Sequence, residues 1–360
     1  MTESIRLGEI ALEEVPTKGT LAYDFLVHKF KAEPNFSWVG FQVHVPKGYK
    51  LVTASSDRIS AYFEFQDIQD SFLRKGFYIK WNALHESQVS VEWLFKAIRR
   101  YEKYIRHRYG RTVEIRERYY IEFNGHECFF YHSAFPLYKK KGMFRHEQQL
   151  LKSIDLVWLC RDLNRAYTVS IYADETLFSR NVKRFFSILK SIKCHYEGDF
   201  NTLKLFDMSL FIPDNYAIIG ASEANENEGV LNIGVPSEKK LLSIEWAPTR
   251  KILRTLKCKS FKEVPEKMKK SFLDLSTKRK EKLSLKHFSD SINRHPAHIF
   301  EMHLERGRFF KSVKSSAMII WHCNKSNRVF TVLANAPSKL MPLYVKEALR
   351  ISKRTLCHRI

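Results

Sequence analysis

The amino-acid sequence predicts an α+β fold with a mostly antiparallel sheet, built twice in tandem. Three observations lead there. The first is an internal repeat. At a constant offset of 163, the stretch 158–195 recurs as 321–358, and fourteen of the thirty-eight paired positions are identical. Unrelated segments of that length share about two by chance, so a fixed-spacing match of this size marks a duplicated structural unit. The second is period-two alternation of apolar residues in short runs bounded by Pro, Gly and Asn, the pattern of half-buried strands. The third is helical spacing of apolar residues in the longer stretches between those runs.

Residues 1–35 lie outside the repeat and read as an N-terminal extension, with 21–31 expected as a strand. The first unit is expected over 36–197 and the second over 198–360. The first opens with Phe41, Val43 and Val45, turns at Pro46-Lys47-Gly48-Tyr49, and resumes with Leu51 and Ala54, which is a hairpin signal. At offset 167 the second opens alike, with Phe211-Ile212-Pro213-Asp214-Asn215-Tyr216 and then Ile218.

Two strand-like runs, 77–81 and 242–246, end on matched tryptophans, and each leads into a helix. Ser90 can cap a helix whose apolar residues Val91, Leu94, Phe95, Ile98 and Ile105 share a face, with Gly110 as its stop. Pro265 suits the first turn of the counterpart, which Met268, Phe272 and Leu275 continue. The strand runs 119–123 and 291–292 then lead into Asn124-x-His126 and Asn293-x-His295. Runs 157–160 and 319–323 are further strands. Asn164-Arg165 and Asn327-Arg328 are placed at hairpin tips, because Asn tolerates positive φ. The return strands feed a closing helix in each unit, carried by Phe185, Phe186, Ile188 and Leu189, and by Val345, Ala348, Leu349 and Ile351.

This order of elements resembles the PsbP-like fold. The resemblance is carried by an opening strand closed by Val45-Pro46-Lys47-Gly48-Tyr49, matched by Ile212-Pro213-Asp214-Asn215-Tyr216. A late hairpin then feeds a final helix such as 185–192. It implies two tandem α/β/α sandwiches. PsbP-like proteins are generally non-catalytic binding or assembly factors, so it also implies a non-enzymatic role. The repeated cysteines and the long basic first helix lie outside that pattern, and no catalytic residues carry over.

The chain has 360 residues, of which 44% are apolar, with 27 Phe and 16 Tyr, ample for two packed cores. An ordered chain is expected. The net charge of +22 favours phosphate-rich partners or anionic surfaces. Residues 1–6 lack the apolar run of a signal peptide and no stretch approaches a membrane span, so a cytoplasmic location is expected. There is no HExxH, Cys-x-x-Cys, P-loop or GxGxxG, and nothing argues for an enzyme.

Four residues recur in each unit: His126, Cys160, Cys194 and His195, then His295, Cys323, Cys357 and His358. Three readings fit them. Two thiolates and two imidazoles make a tetrahedral zinc set, with zinc as the candidate cofactor. Cys160–Cys194 and Cys323–Cys357 each span 34 positions and could close as disulfides. Such a loop stabilises by about 3.8 kcal/mol on the chain-entropy account. The third reading is buried apolar thiols preserved by duplication. Adjacent Cys194 and His195 could face one ion only on a turn, since neighbours on a strand point to opposite faces.

Basic residues form the other candidate site. Arg99, Arg100, Lys103, Arg106 and Arg108 crowd the first long helix among tyrosines. Lys139, Lys140, Lys141 and Arg145 are placed in a basic loop, and Lys278, Arg279 and Lys280 after the second helix. Cations interleaved with aromatics can follow a phosphate backbone and stack bases. The expected function is a non-enzymatic binding or scaffold protein that docks on nucleic acid or a ribonucleoprotein. The alternatives are a protein-complex assembly factor with incidental charge, and a zinc- or thiol-dependent site in each repeat.

Overall fold

Local sequence dictates most of the elements, and ladder register then decides which of them meet. The computed structural model describes residues 15–30, 32–67, 75–109, 113–141, 145–196, 198–238, 240–279, 282–306 and 312–358. In chain order the elements are α1 (Leu21–Val27), β1 (Phe36–Trp38), β2 (Phe41–Val43), β3 (Tyr49–Ser56), β4 (Ser60–Asp67), β5 (Lys75–Ala83), α2 (Val91–Tyr109), β6 (Glu114–Phe123), β7 (His126–Lys141), β8 (Arg145–Cys160), β9 (Arg165–Asp174) and α3 (Glu175–Lys190). There follow β10 (Thr202–Leu205), β11 (Met208–Phe211), β12 (Ala217–Ser222), β13 (Gly229–Val235), β14 (Lys240–Pro248), α4 (Thr249–Leu256), α5 (Val264–Arg279), β15 (Lys282–Ile292), β16 (His295–Arg306), β17 (Ser312–Cys323), β18 (Arg328–Ala336) and α6 (Met341–Arg354).

Contacts divide the chain into two units: Met1–Pro34, Gly40–Lys50 and Ile59–Glu197 in one, and Asn35–Val39, Leu51–Arg58 and Gly198–Ile360 in the other. The stretches 36–39 and 51–58, expected in the first repeat, and residue 35, expected in the extension, group by contact with the second unit. Backbone pairing is the reason. Phe36 pairs with Leu205, Ser56 pairs with Ile218, and Leu51 exchanges amide hydrogen bonds with Ala224.

In the first unit the antiparallel sheet runs β4-β5-β9-β8-β7-β6; in the second it runs β15-β16-β17-β18-β14-β13-β12-β3. Neighbouring residues on a strand face opposite ways, so each sheet carries two cores. On β8, Val157 and Leu159 pack with Leu94 and Ile98 of α2 and with Phe129 and Tyr131. Trp158, between them, stacks on Tyr167 of β9 with ring centroids 5.0 Å apart, on the face that α3 covers. The second unit repeats this. Ile320 joins Val264 and Phe300 beneath α4 and α5, while Trp321 stacks on Phe330 at 5.2 Å on the face that α6 covers. Each unit is a helix–sheet–helix sandwich, as expected.

The helix starts follow their caps. Ser90 Oγ accepts from the Trp93 amide at 3.2 Å, which starts α2 where expected. Where a strand was expected over 21–31, Lys31 lies outside the described residues and residues 21–27 form helix α1. Thr20 Oγ1 caps it by accepting from the Tyr23 amide, and the amides of Leu21 and Ala22 donate to the two carboxylate oxygens of Glu117 at 3.0 and 3.1 Å. Ala22 and Phe25, one turn apart, are fully buried. In the second unit the helix expected from Pro265 is preceded by α4, which ends at Lys257 in the left-handed conformation.

The expected opening hairpins do not form. The Tyr216 amide donates to the Pro213 carbonyl, and the turn carries the chain from β11 in a small sheet to β12 in the main one. Tyr49 and Pro46 make the same turn in the first unit. The Asn-Arg pairs do sit at hairpin tips. Asn164 and Asn327 have φ of 47° and 52°, and Arg165 and Arg328 open the return strands opposite Cys160 and Cys323.

Two basic clusters differ from expectation. Lys139, Lys140 and Lys141 are not in a loop but end β7, paired with Glu147, His146 and Arg145 of β8. Lys278 and Arg279 are the last residues of α5 rather than residues after it. Lys280 lies outside the described residues, as do the side chains of the other six. No helix among the described residues is long and apolar enough to cross a membrane.

Candidate metal centres

Register brings the repeated residues together. Cys128 pairs with Trp158 across β7 and β8, so two residues further on the ladder sets His126 of β7 beside Cys160 at the end of β8. By the same count Ala297 pairs with Trp321, which sets His295 beside Cys323. The period of two puts Cys160 on the face of Trp158, under α3, and Cys323 on the face of Trp321, under α6.

The other two donors arrive after the closing helix. Residues 194–195 and 357–358 form bends rather than strands, which frees Cys194 and His195 to face the same point. Three ties hold the first bend. Lys193 exchanges backbone hydrogen bonds with Gln42 of β2, the Asn124 side-chain amide donates to the Ile192 carbonyl, and Tyr167 Oη donates to the Cys194 carbonyl. The second bend is held alike. Leu356 exchanges hydrogen bonds with Ser209 of β11, and the Asn293 amide donates to the Thr355 carbonyl. Phe330 has no hydroxyl where Tyr167 has one, and here Arg328 takes over. It donates to the Cys357 carbonyl at 2.9 Å while paired with both oxygens of Asp207.

In each unit the two imidazole nitrogens and two sulfurs all lie within 4.8 Å of one another. His195 Nδ1 is 3.3 Å from His126 Nε2, 3.5 Å from Cys194 Sγ and 3.9 Å from Cys160 Sγ. His358 Nδ1 is 3.2 Å from Cys323 Sγ and 3.4 Å from Cys357 Sγ. With zinc–nitrogen bonds of about 2.05 Å and zinc–sulfur bonds of about 2.3 Å, a regular tetrahedron has edges of about 3.3 Å for N–N, about 3.6 Å for N–S and about 3.8 Å for S–S. The five N–N and N–S spacings above lie within about 0.4 Å of those edges. All six cysteines are free thiols, so neither Cys160–Cys194 nor Cys323–Cys357 is a disulfide.

Burial suits a bound ion, and the charges around the two centres differ. All four repeated cysteines are buried, and the buried Nε2 of His295 has no hydrogen-bond partner among the described residues. A native buried polar atom left unpaired calls for an explanation, and an ion is one. The Cys194 thiol, with help from His126 and His195, outweighs burial and pulls the Cys160 thiol down to about 4, while Cys194 itself is pushed up by the same contact. Burial, with Cys323 beside it, pushes Cys357 up to about 12. Burial first, then neighbouring cations, holds His295 and His358 below the usual imidazole range, in the neutral form a metal takes.

No family model matches the chain, and no curated protein matches it. Seven solved chains do, among them the solution structure of cyanobacterial PsbP (CyanoP) from Synechocystis sp. PCC 6803. That match is 11% identical, covers 43% of this chain and 86% of that chain, and has a TM-score of 0.32. It is a weak, fold-level likeness.

The basic residues fare differently. Arg99, Arg100 and Lys103 are exposed on α2. Arg106 and Arg108 continue the helix, with side chains outside the described residues. Sequence reasoning missed the positioning roles of Asn124 and Asn293, although Asn-x-His recurs at 124–126 and 293–295 as plainly as the donors do. It also missed Asp162, whose carboxylate comes within 3.5 Å of His195 Nδ1, and its counterpart Lys325.

Proposed function

We propose that this chain is a non-catalytic binding protein made of two copies of one α/β/α unit, each closed by a zinc ion. The observation that carries the reading is the convergence of two sulfurs and two imidazole nitrogens within 4.8 Å of one another in both units. His126, Cys160, Cys194 and His195 would fill all four positions in the first, and His295, Cys323, Cys357 and His358 in the second. A zinc ion with four protein ligands keeps no open position for substrate and serves structure rather than catalysis. Soft thiolates with imidazole select zinc over magnesium or calcium.

The test is metal content. Protein purified without added metal and analysed by inductively coupled plasma mass spectrometry should carry one zinc per unit. Cys160→Ser and Cys323→Ser should each remove one of the two. Metal-free protein that melts at the same temperature with and without added zinc would end the reading.

The surface supports nucleic acid as the partner. Arg99, Arg100 and Lys103 stand exposed on α2 in a chain of net charge +22. Each neutralised phosphate adds about 0.9 to the slope of log affinity against log salt. Arg99→Glu with Lys103→Glu should weaken binding to single-stranded RNA and, at about 0.7 per contact on a single strand, flatten that slope by about 1.4. Salt-insensitive or absent binding by the parent chain would instead favour an assembly factor for a protein complex.

A further inference from the structure

On the α2 side of the first unit, between that helix and the strands β4, β5 and β9, lies a cavity of about 810 Å³. Its walls are aromatic: Trp93 and Tyr101 from the helix, Tyr62 and Tyr78 from the sheet. The rings of Tyr62 and Tyr78 are stacked with centroids 5.7 Å apart. Burial, with Asp155 and Tyr78 beside it, pushes the Tyr101 hydroxyl well above the usual phenol range, so it stays a neutral part of that wall. Two exposed cations, Lys80 and Arg100, join the lining, and no carboxylate appears among its described residues.

The second unit supplies an internal comparison. Lys80 pairs with Thr168 and Glu245 pairs with Thr331, so the repeat offset makes Lys80 and Glu245 equivalent. Across the neighbouring strand Tyr62 faces Lys80 and Val230 faces Glu245, and Tyr78 corresponds to Ser243. The counterpart cavity, about 340 Å³, is lined by Glu223, Glu228 and Glu245 with Lys251. One place in the fold is thus aromatic and cationic in one unit, small and acidic in the other. Packing demands shared by both copies cannot account for that difference, since the sheet scaffold is the same.

We infer that the cavity of the first unit binds a nucleotide, with the base between the aromatic walls and the phosphate on Lys80 and Arg100. Aromatic faces stack any base, and fixed cations at the rim recognise the phosphate. A volume of this size is ordinary for a small-molecule site. The inference deepens the nucleic-acid reading and rests on it only for where the nucleotide comes from: a free mononucleotide or one residue of a strand.

The test uses the full chain with four mononucleotides (AMP, GMP, CMP and UMP) and with a mixed-sequence 12-mer RNA. Binding is read by Trp fluorescence quenching and by calorimetry. Lys80→Glu and Tyr62→Val install the residues that the second unit carries, so the fold should tolerate them, and thermal melts verify it. Each should weaken binding by roughly tenfold, the scale of one lost stacking or phosphate contact. Trp93→Phe keeps a ring in the wall and should retain binding while abolishing most of the quench. Mononucleotide binding that is lost in Lys80→Glu supports the cavity even if the 12-mer does not bind, and then the docking reading alone fails. RNA binding that survives Lys80→Glu and Tyr62→Val but is lost in Arg99→Glu with Lys103→Glu overturns the cavity and keeps the docking reading. No binding of either probe overturns both.

Discussion

Position 162 and its counterpart 325 carry opposite charges beside otherwise matching donors. Asp162 lies 3.5 Å from His195 Nδ1, whereas Lys325 adds to burial in holding His295 and His358 low. A dication should therefore bind more tightly in the first unit. Lys325→Asp should strengthen the second centre by about three- to tenfold, an exposed-charge effect screened by salt. Competition with a chromophoric chelator measures it, and equal affinity in parent and variant would dismiss the charge account. Arg328 is the other decisive residue. It is 4% exposed and holds both Asp207 and the Cys357 carbonyl. Arg328→Met should cost about 2 kcal/mol, less than for a fully buried pair because Asp207 is 44% exposed. The second centre should lose its metal faster while the first is unchanged, and the two release phases in a chelator assay report this.

At the scale of elements, α1 depends on one side chain from a distant strand. Burial pushes the Glu117 carboxyl up, but His132 and the amides of Leu21 and Ala22 outweigh it and hold it below the usual carboxylate range. A carboxyl depressed in the folded state stabilises fully above its unfolded pKa, and loses that contribution as pH falls through the folded value. Acidification should therefore release α1 before the sheet unfolds, seen as early loss of amide protection over 21–27. Glu117→Gln should remove this pH dependence and cost about 1 kcal/mol, like a lost cap. The helix was only half legible: Thr20 caps it locally, but the amides of Leu21 and Ala22 are met by a carboxylate 96 and 95 positions away. Where caps and turns were local, as at Ser90, Asn164 and Asn327, the sequence located the elements. The Pro46 and Pro213 turns were visible too, but a turn does not say whether its two strands share a sheet.

For the whole molecule, the repeat named all eight donors without revealing what they do. Recurrence is equally compatible with core packing, disulfides and metal. What the sequence could not supply was tertiary register, which sets His126 beside Cys160, together with the tied bend that turns both Cys194 and His195 inward. The cavity was less legible still. Tyr62, Tyr78 and Lys80 share the α2 face of neighbouring strands, and no period in the sequence distinguishes a lined hollow from a packed face. Stripping zinc with a strong chelator should lower the melting temperature by well over about 5 °C, as befits ligands that cross-link three segments. Re-addition of zinc should restore it. In Cys160→Ser the first unit alone should become insensitive to zinc, as followed by amide exchange of each unit.

The donors come from three well-separated stretches of chain: 126, 160 and 194–195 in the first unit, 295, 323 and 357–358 in the second. That separation has a kinetic consequence. When the ligands lie close in sequence, a metal can gather the unfolded chain around itself and act as the seed of folding. Here His126 meets Cys160 only once β7 has paired with β8, and the 194–195 bend joins them only after the closing helix has docked, so loops must close before the ion has its full seat. Zinc should then leave the refolding rate nearly untouched and slow unfolding instead, because it reinforces contacts absent from the transition state. Stopped-flow chevrons with and without zinc would show the folding arms superimposed and the unfolding arms displaced. The ion in this architecture would act as a latch, fastened last and released first.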